Sequence, residues 1–452
     1  MTIASHTLGC KLNYAETNHL IRQFSLAGYQ VVDFSEKADI YVINTCTVTS
    51  VAEKKCRTII HQAHRSNPDA LIAVIGCFAT NAPDSVSQIP GVSLVLGNDE
   101  KHRLFDRIST LICNGLGDSC YKTGSKTITE DSTHPKGLKT KTEDLEPPFP
   151  IAFSLGDRTR SFLKVQDGCD YFCTYCAIPF ARGRSRCASV AQAVEAARQI
   201  AAAGIKEVVL TGVNTGTFGL HSGESFLQLI QALDQVEGIE RYRISSIEPN
   251  LISDDIIRFV ASSRAFLPHF HIPLQAGSDK LLSLMHRHYD TALYLDKLLL
   301  IKSFMPDACI AADIMAGFNG EDEMTFQDVC RYVESLPISY LHVFTYSDRP
   351  NTAALRLGEK IPMSVRHQHS QLLHEISDRK KDIFYQSQMG RHRPVLWESS
   401  IHDSSDLSRP MMQGWTDNYI RVQQPFDPSL VGHITSATIS PSTVVHNFAP
   451  DE

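Results

Sequence analysis

The sequence contains no apolar run that approaches the roughly 20 residues needed to cross a bilayer, which excludes a protein that spans a membrane by helices. Its N-terminus lacks the basic and then apolar pattern of a secretory signal. Basic residues are not in excess, since 43 Lys and Arg stand against 50 Asp and Glu, and the net charge of −7 argues against non-specific binding to nucleic acids. These absences predict a soluble, cytoplasmic protein with no membrane partner.

The length and composition indicate a folded protein of several domains. With 452 residues the chain should form two or three domains, and an apolar content of 42% is typical of globular proteins. Twelve cysteines stand in a chain that shows no sign of secretion. In reducing compartments cysteines indicate metal or redox chemistry more often than disulfides, so their spacing is the first functional signal.

Three cysteines form a C-x₃-C-x₂-C triplet, Cys169, Cys173 and Cys176, directly after the apolar run 161–165. Cysteine thiolates are the usual ligands of iron–sulfur clusters, so this loop can hold three irons of a [4Fe–4S] cluster and leave the fourth iron open to a substrate. The alternatives are a zinc site that takes Cys187 as its fourth ligand and a chance group of structural cysteines. Structural zinc prefers paired spacings, whereas these gaps are unequal. The triplet therefore predicts an iron–sulfur site.

Residues 1–100 alternate short apolar runs with amphipathic stretches, which predicts a small parallel α/β sheet. The predicted strands lie near residues 3–8, 40–44 and 71–75, and the predicted helices near residues 15–27 and 50–64. A cysteine follows each strand: Cys10, Cys46 and Cys77 in turn. Because the carboxyl ends of parallel strands meet at one edge of a sheet, these cysteines are expected to come together and to hold a second iron–sulfur cluster. The alternative is three small buried residues at strand ends.

Residues 113–150 have almost no apolar side chains and mixed charge, so this segment is predicted to be a linker. Beyond it, six strand–helix repeats predict a partial (β/α)6 barrel rather than an open sheet. The predicted strands span residues 161–165, 207–211, 242–246, 269–273, 309–314 and 340–345. In such barrels the active site lies at the carboxyl-terminal face, to which the first strand delivers the cysteine triplet.

A long helical stretch over residues 364–389 follows the barrel, and the pattern then changes to short strands with polar turns. These predicted strands lie near residues 395–397, 419–423 and 433–440. They indicate a small antiparallel β-barrel of the oligonucleotide-binding kind. Trp415, Tyr419 and Arg421 are candidates for contacting RNA, the two aromatic rings by stacking. Both aromatic residues are equally typical of the core of a strand, which leaves two roles open for them.

The cysteine triplet resembles the signature of the radical S-adenosylmethionine (SAM) enzymes. In that superfamily SAM binds the open iron, and the resemblance implies that the ring of Tyr175 packs on its adenine. Polar or glycine-rich residues after the other barrel strands then become candidate SAM contacts: Gly212, Asn214, Glu248, Gln275 and Gly317. Glu248 is suited to bind a ribose hydroxyl, and its alternative role is that of a solvated loop acid.

The order of the whole chain resembles the methylthiotransferases of the radical SAM superfamily. Their architecture implies an N-terminal α/β domain with an auxiliary cluster at residues 1–112, a linker at 113–150, a radical SAM barrel at 151–388 and an RNA-binding TRAM domain at 389–452. The matching motifs are G-C-K-L-N from Gly9, N-T-C from Asn44, K-K-C-R from Lys54, G-C-F-A from Gly76, H-I-P-L-Q-A-G-S from His271, Y-S-D-R-P from Tyr346 and G-W-T-D-N-Y from Gly414. The resemblance covers nearly the full chain, the linker excepted.

Within this family, the runs G-C-K-L-N-Y-A-E-T and I-P-F-A-R-G-R-S-R are most similar to the type that acts on N6-threonylcarbamoyladenosine next to the anticodon of tRNA. The resemblance implies two [4Fe–4S] clusters and two roles for SAM. One SAM methylates a sulfur on the N-terminal cluster, and another yields the radical that removes hydrogen from C2 of the adenine. The implied partners are the tRNA anticodon loop, a low-potential electron donor and a sulfur donor. Asn351 and the pair Ala79-Thr80 depart from the family pattern without touching a cysteine.

Arg182, Arg184 and Arg186 form a cationic run beside the triplet, and a guanidinium fits a carboxylate with two parallel hydrogen bonds. We therefore expect one of them to pair with the carboxylate of the threonylcarbamoyl group. Other functions stay open at this point. They are the same chemistry on isopentenyl-adenosine in tRNA or on an aspartate of a ribosomal protein, a non-catalytic iron–sulfur protein that binds RNA, and a zinc-stabilised binding protein.

Overall fold

The computed structural model describes residues 1–113, 149–156, 159–402 and 410–445, apart from the side chains of residues 399–402. Contacts divide the chain into two compact units, which are Met1–Pro150 with Phe180–Arg182 and Ile151–Pro179 with Gly183–Glu452. Residues 114–148 of the predicted linker lie outside the described residues. No helix in the described ranges is both long and apolar enough to cross a membrane.

The first unit is built on a five-stranded parallel sheet, as the alternation of strands and helices predicts. Its strands are β1 (Thr2–Thr7), β2 (Gln30–Val31), β3 (Ile40–Thr45), β4 (Leu71–Gly76) and β5 (Val92–Leu96), and its helices are α1 (Lys11–Leu26), α2 (Ser50–Ser66), α3 (Cys77–Asn81), α4 (Pro83–Ser87) and α5 (Leu104–Cys113). The strand order is β2-β1-β3-β4-β5, and every pair is parallel. Strands β3 and β4 are buried throughout because apolar clusters cover both faces of the sheet, which explains their apolar runs without alternation.

Six parallel strands of the second unit form the predicted partial (β/α)6 barrel. The strands of this region are β6 (Ala152–Phe153), β7 (Arg160–Lys164), β8 (Gln166–Asp167), β9 (Arg186–Cys187), β10 (Glu207–Thr211), β11 (Arg241–Ile244), β12 (His269–His271), β13 (Cys309–Ala316) and β14 (Tyr340–Thr345). Strands β7, β10 and β11 pair in parallel, and so do β12, β13 and β14. A bridge between Ser246 and His271 connects the two groups, so the prediction of a six-stranded barrel is confirmed.

Helices alternate with the barrel strands, and side-chain caps mark where several begin. The helices are α6 (Ile178–Arg182), α7 (Val190–Ala202), α8 (Phe226–Asp234), α9 (Asp254–Ser262), α10 (Asp279–Leu284), α11 (Thr291–Phe304), α12 (Glu323–Ser335) and α13 (Met363–Gln388). Five start after a Ser or Asp whose side chain accepts from the backbone N–H three residues on: Ser189, Ser225, Ser253, Asp290 and Asp322. These caps satisfy backbone donors that the first helical turn leaves unpaired, and they fix the residue at which each of the five helices begins.

The C-terminal sheet contains four antiparallel strands, β15 (His392–His402), β16 (Met411–Thr416), β17 (Arg421–Pro425) and β18 (Ile434–Thr438), in the order β17-β16-β15-β18. Sequence analysis missed β16, which carries Gly414 in its interior. A Cβ at Gly414 would lie 2.5 Å from a methyl carbon of Val395 on the neighbouring strand, so this strand accepts only glycine there. The predicted boundary at residue 389 does not separate compact units, because this sheet shares a core with Cys309 of the barrel.

Trp415 and Tyr419 close the amino-terminal end of the barrel. Their rings stack with centroids 4.3 Å apart, and both side chains are buried. The Tyr419 ring also lies 4.3 Å from the ring of His269, the first residue of β12. The guanidinium of Arg160, the first residue of β7, lies 5.3 Å from the centre of the Trp415 ring. Stacking and cation–π contacts of this kind stabilise a buried layer of side chains. This layer, formed by Arg160, His269, Trp415 and Tyr419 together with Glu207, is termed the barrel floor.

This burial corrects the predicted RNA contacts. Arg421 is buried like Trp415 and Tyr419, and its guanidinium donates to Gln413 and lies 5.0 Å from the centre of the Trp415 ring. A ring can stack on a nucleic-acid base only when one of its faces is exposed. The structure therefore contradicts RNA contact for these three residues and favours the alternative that they belong to the core.

The Glu207 carboxylate is buried between two buried guanidinium groups. Arg243 donates to it at 2.7 Å and Arg241 at 3.4 Å. Arg241 also donates to the carbonyl of Trp415 at 3.0 Å, and Arg243 to that of Thr416 at 2.7 Å. Burial acts to raise the pKa of Glu207, but the two guanidinium charges outweigh it and hold that pKa below its usual range. This network ties β10 and β11 to the C-terminal sheet.

Glu207→Gln should lower the free energy of unfolding by about 3–5 kcal/mol, because it leaves two buried guanidinium groups without their shared counter-charge. The matched control is Glu240→Gln. The half-exposed Glu240 carboxylate pairs with Lys206 at 3.1 Å, and the loss of this pair should cost at most about 1 kcal/mol. Urea unfolding measures both. The contribution of Glu207 is present above its unfolded pKa of about 4.3 and is lost as the pH falls through the lower folded value. Equal losses in the two variants would contradict this account.

Candidate active site

The cysteine triplet occupies the loop between β8 and α6, beyond the carboxyl end of β7. Gly168 opens the loop with a φ of +70°, and a Cβ there would lie 2.0 Å from the carbonyl oxygen of Arg184. Only glycine accepts both conditions. The N–H of Cys169 then donates to the carbonyl of Gly183 at 3.1 Å. These contacts fold the backbone that carries the three thiols.

Gln166 connects this loop to the segment after β10. Its side chain is fully buried, and Nε2 donates to the carbonyl of Gly168 at 2.8 Å and to the hydroxyl of Ser185 at 3.1 Å. Its Oε1 accepts from the N–H of Asn214 at 2.9 Å and would lie 2.8 Å from a Cβ on Gly212. Two predicted SAM contacts, Gly212 and Asn214, are therefore attached to the cysteine loop. Sequence analysis missed Gln166, because a single glutamine after a strand carries no pattern.

The thiols of the triplet are suited to a metal centre. Burial raises the pKa of Cys169 to about 11 and that of Cys176 to about 12, and it raises the pKa of Cys173 as well. Such thiols stay protonated at neutral pH unless a nearby cation stabilises the thiolates, as metal binding does. Every described cysteine is a free thiol. A reactive nucleophile would need the opposite shift, so the triplet fits metal ligation better than covalent catalysis.

The spacing of the thiols can be compared with the geometry of a single zinc ion. Zn–S bonds of about 2.3 Å place tetrahedral thiolates about 3.8 Å from one another. In the described part of the chain no three cysteine sulfurs lie within 4.8 Å of one another. Cys187, the candidate fourth zinc ligand, accepts a hydrogen bond from the N–H of Gly219 at 3.2 Å. The described thiols are therefore not arranged as a ready tetrahedral site for one zinc ion.

Arg287, from the segment after α10, lies against the triplet. Its guanidinium is 3.1 Å from the Cys173 sulfur and 3.3 Å from the Tyr175 hydroxyl, and it also donates to the Glu248 carboxylate. Burial raises the pKa of Glu248, and the charge of Arg287 acts in the opposite direction. Glu248 is thus a paired group beside the cysteines, and the alternative of a solvated loop acid is wrong. Arg287 was missed because it lies more than a hundred positions along the chain from the triplet.

Asn214 provides the clearest sign of a missing polar ligand. Its side chain is buried, yet neither the oxygen nor the nitrogen of the amide has a hydrogen-bond partner among the described residues. Buried amides nearly always find partners, so this one fits a polar cofactor such as SAM. Gln275 has a φ of +63°, a strained conformation often found at functional sites. Gly317 has a φ of +74°, and a Cβ there would lie 2.3 Å from the Arg366 side chain, so both the backbone and the packing require glycine.

In the first unit, Cys10, Cys46 and Cys77 follow the neighbouring strands β1, β3 and β4. Cys10 is exposed, whereas Cys46 and Cys77 are buried. The backbone of Gly9 lies so close to Cys46 that a Cβ on Gly9 would be 3.0 Å from the Cys46 sulfur. The segments after β1 and β3 are therefore in contact. Burial raises the pKa of Cys46 to about 12, and the thiols of Cys77 and Cys10 act in the same direction. One edge of the sheet thus carries all three thiols, in the environment of a metal centre.

Two further residues contact these thiols. The Asn98 amide donates to the Cys77 sulfur at 3.4 Å, and sequence analysis missed it because it follows the unpredicted strand β5. The Cys56 thiol of α2 accepts a hydrogen bond from the N–H of Cys46 at 3.4 Å and donates one to the carbonyl of Cys46 at 3.5 Å. Cys56 therefore supports the loop of Cys46, and Asn98 holds the side chain of Cys77 in place.

Arg182 is engaged inside the fold. Phe180–Arg182 belongs by its contacts to the first unit, in which the buried Arg182 side chain lies 3.3 Å from the Glu16 carboxylate and donates to the Asn13 amide oxygen. Lys101 pairs with the same carboxylate. Breaking a buried charge pair is costly, so Arg182 is not available to a substrate. The structure contradicts its predicted role.

The other two arginines of the run differ in how firmly they are held. Arg186 lies 3.2 Å from the buried carboxylate of Asp167. The Arg184 side chain is 80% exposed and 3.7 Å from the Asp170 carboxylate, and its guanidinium lies 5.9 Å from the centre of the Phe172 ring. Arg184 is therefore the accessible cation of the three.

Comparisons with known proteins agree with this geometry. Residues 2–97 match the "Uncharacterized protein family UPF0004", and residues 163–333 match the radical SAM superfamily. The chain is 36% identical to the "Threonylcarbamoyladenosine tRNA methylthiotransferase MtaB" of Bacillus subtilis (strain 168), over 97% of this chain and 93% of the relative. It is 29% identical to the "tRNA-2-methylthio-N(6)-dimethylallyladenosine synthase" of Pelotomaculum thermopropionicum, over 97% and 95% of the two chains.

Among solved structures, the radical SAM methyltransferase TsrM of Kitasatospora setae superposes with a TM-score of 0.54 at 16% identity, over 78% of this chain and 76% of that one. At this identity the likeness concerns the fold. The superfamily match contains the triplet, and the radical SAM enzymes use a [4Fe–4S] cluster and SAM as cofactors. The identity of 36% extends over nearly the whole length of both chains. This chain belongs to the MtaB-type tRNA methylthiotransferases, a family of radical SAM enzymes.

Proposed function

We propose that this enzyme adds a methylthio group to C2 of N6-threonylcarbamoyladenosine next to the anticodon of tRNA, by radical chemistry with two [4Fe–4S] clusters. The observation that carries the proposal is the pair of three-thiol sites, one in each compact unit. Transfer of a methylthio group needs one place to hold sulfur and another to activate the substrate carbon, so two sites are required. The name of the Bacillus subtilis relative, a threonylcarbamoyladenosine tRNA methylthiotransferase, supports this choice of substrate.

We assign the cysteine triplet to the cluster that binds SAM. When bound, this cofactor pair supplies one-electron chemistry for an adenine C–H bond that is too inert for acid–base catalysis. The role of the protein is to bind the cluster and SAM. The Asn214 amide offers a donor and an acceptor, and Glu248, oriented by Arg287, offers an oxygen for a hydroxyl. The other proposed SAM contacts are Tyr175, Gly212, Gln275 and Gly317.

We assign Cys10, Cys46 and Cys77 to the second cluster, which would hold the sulfur that is transferred. Three thiols from distant parts of the sequence converge there because parallel strands end at one edge of the sheet. A sulfur donor and a low-potential electron donor are the further partners of the cycle. The target base must leave the stack of the anticodon loop to reach the barrel, as is usual when single-stranded RNA is recognised. A tRNA substrate implies work in the cytoplasm.

We propose that Arg184 pairs with the carboxylate of the threonylcarbamoyl group. Arg184→Ala should raise KM for the modified tRNA about tenfold, the equivalent of about 1.4 kcal/mol for one hydrogen bond to a charged group, with kcat nearly unchanged. Arg198→Ala is the matched control, since Arg198 is 67% exposed and lies 3.8 Å from the Glu195 carboxylate. Steady-state kinetics with purified tRNA measure both. Equal KM values for the two variants would refute the assignment.

The function is tested with three substrates side by side: tRNA that carries N6-threonylcarbamoyladenosine, tRNA that carries isopentenyl-adenosine, and the ribosomal protein with its aspartate. Reconstituted enzyme, SAM, sulfide and a low-potential reductant are supplied, and products are identified by mass spectrometry. A gain of a methylthio group on the threonylcarbamoyl substrate alone is expected. Product on isopentenyl-adenosine alone would overturn the proposal in favour of the reaction named for the Pelotomaculum relative. Binding of tRNA without cleavage of SAM would instead identify a non-catalytic iron–sulfur protein.

A further inference from the structure

Three potential metal ligands meet on adjacent strands of the barrel. His271 stands on β12, Asp313 on β13 and His342 on β14. The strand register places Asp313 directly opposite His342. One ligand atom from each residue lies within 4.8 Å of those from the other two. The His271 Nε2 lies 2.7 Å from an Asp313 oxygen, and the rings of His271 and His342 have centroids 5.1 Å apart.

These side chains project from the inner face of the barrel wall. Side chains alternate along a strand, so Asp313 shares its face of β13 with Cys309, which packs against the barrel floor. On β14, His342 likewise shares its face with Tyr340, packed on the same cluster, and with the half-exposed Phe344. The three ligands therefore lie between the closed floor and the open end of the barrel.

The chemistry of the three groups suits one divalent transition-metal ion. Two imidazole nitrogens and one carboxylate oxygen form the ligand set of several zinc sites that keep a fourth position open. The side chains of His271 and Asp313 are 22% and 16% exposed, which leaves room for a water or another oxygen ligand. The triplet and the N-terminal thiols offer only sulfur, so an ion bound there would have a different ligand set from an ion bound by these three residues.

A histidine bonded to an aspartate is not in itself a metal site. The second unit contains such a pair on its surface, where the His221 ring lies 2.9 Å from the Asp170 carboxylate. Among the described residues, only the barrel pair is joined by a third potential ligand within 4.8 Å, namely His342. The third ligand turns a hydrogen-bonded pair into a chelate, since three ligands held by adjacent strands need little rearrangement to close on one ion.

We propose that His271, Asp313 and His342 form a third metal site, which binds one Zn²⁺ ion independently of the two cysteine sites. The proposal does not depend on which base the enzyme modifies. An ion there would present an open coordination position to the barrel interior, where an oxygen of a substrate can replace water.

The test starts from holoenzyme with both clusters reconstituted, so that the cysteines are occupied. Zinc is added, weakly bound ions are removed by gel filtration, and zinc and iron are counted in the same sample. X-ray absorption at the zinc edge then gives the ligand type. The site predicts about one zinc per chain with only nitrogen and oxygen neighbours at about 2.0–2.1 Å, whereas zinc on thiolates shows sulfur at about 2.3 Å.

Asp313→Asn and His342→Gln should each abolish zinc retention while the iron content stays at the holoenzyme level, which shows that the fold is intact. His221→Gln, the matched change in a pair without a third ligand, should leave the zinc in place. Three results would overturn the proposal: no zinc in the parent holoenzyme, sulfur neighbours around the zinc, or full retention in both barrel variants.

Discussion

An enzyme with alanine at Cys10, Cys46 and Cys77 should continue to cleave SAM to 5′-deoxyadenosine and should form no methylthio product. These thiols belong to a different compact unit from the triplet, so their loss removes the proposed place for sulfur and leaves the SAM site whole. Iron should fall from about eight to about four per chain, since each four-iron cluster is lost or kept as a unit. Iron analysis, chromatography of 5′-deoxyadenosine and mass spectrometry of the tRNA measure the three quantities.

The control for this variant is Cys113→Ala, which removes an exposed thiol at the end of α5 and should change none of the three readouts. If the triple variant still formed the product, the N-terminal cysteines would be structural. The same conclusion would follow if its iron content did not change. The enzyme would then have one cluster and no proposed site for sulfur.

Alanine at Cys169, Cys173 and Cys176 should abolish both 5′-deoxyadenosine formation and methylthiolation. The expected iron content is again about four per chain, now held by the N-terminal site. The loop should keep its fold, because Gly168 and the Gln166 side chain fix it through backbone contacts that do not involve the sulfurs. The measurement is SAM cleavage with a strong chemical reductant, in the absence of tRNA as well as in its presence.

Cys330→Ala serves as the control here, because this thiol lies half-buried in α12 and away from both triplets in the sequence. It should retain full cleavage of SAM. Cleavage above background in the triple variant would contradict the assignment of the triplet. A fall of the iron content to zero would show that the first unit binds no cluster by itself.

Local sequence patterns were sufficient to predict the architecture of the chain. Strands β3, β4, β10 and β13 are rich in apolar residues and bounded by turns, and parallel strands of this kind are buried on both faces. Strands without that signal were missed: β2 has two residues, and β16 carries Gly414 in its interior. The cysteines were found because their spacing or their position after a strand is itself the signal.

Contacts between distant residues could not be predicted in the same way. Arg287 reaches Cys173 across 114 positions, and Asn98 reaches Cys77 from a strand that no pattern revealed. An isolated arginine or asparagine has the same local appearance on a surface as in a site. Trp415 was ambiguous for a related reason, because strand aromatics occur in cores and at interfaces alike, and its partner Arg160 is 255 positions away.

The barrel floor has a consequence for how this family can evolve and be engineered. Arg160 and His269, the first residues of β7 and β12, pair with the rings of Trp415 and Tyr419 next to them at the C-terminal sheet. A chimera that takes this sheet from a relative with another substrate would break these pairs unless the first residues of the barrel strands came with it. We therefore expect substitutions on the two sides of the floor to be inherited together, and recombination within the family to exchange barrel and sheet as one piece.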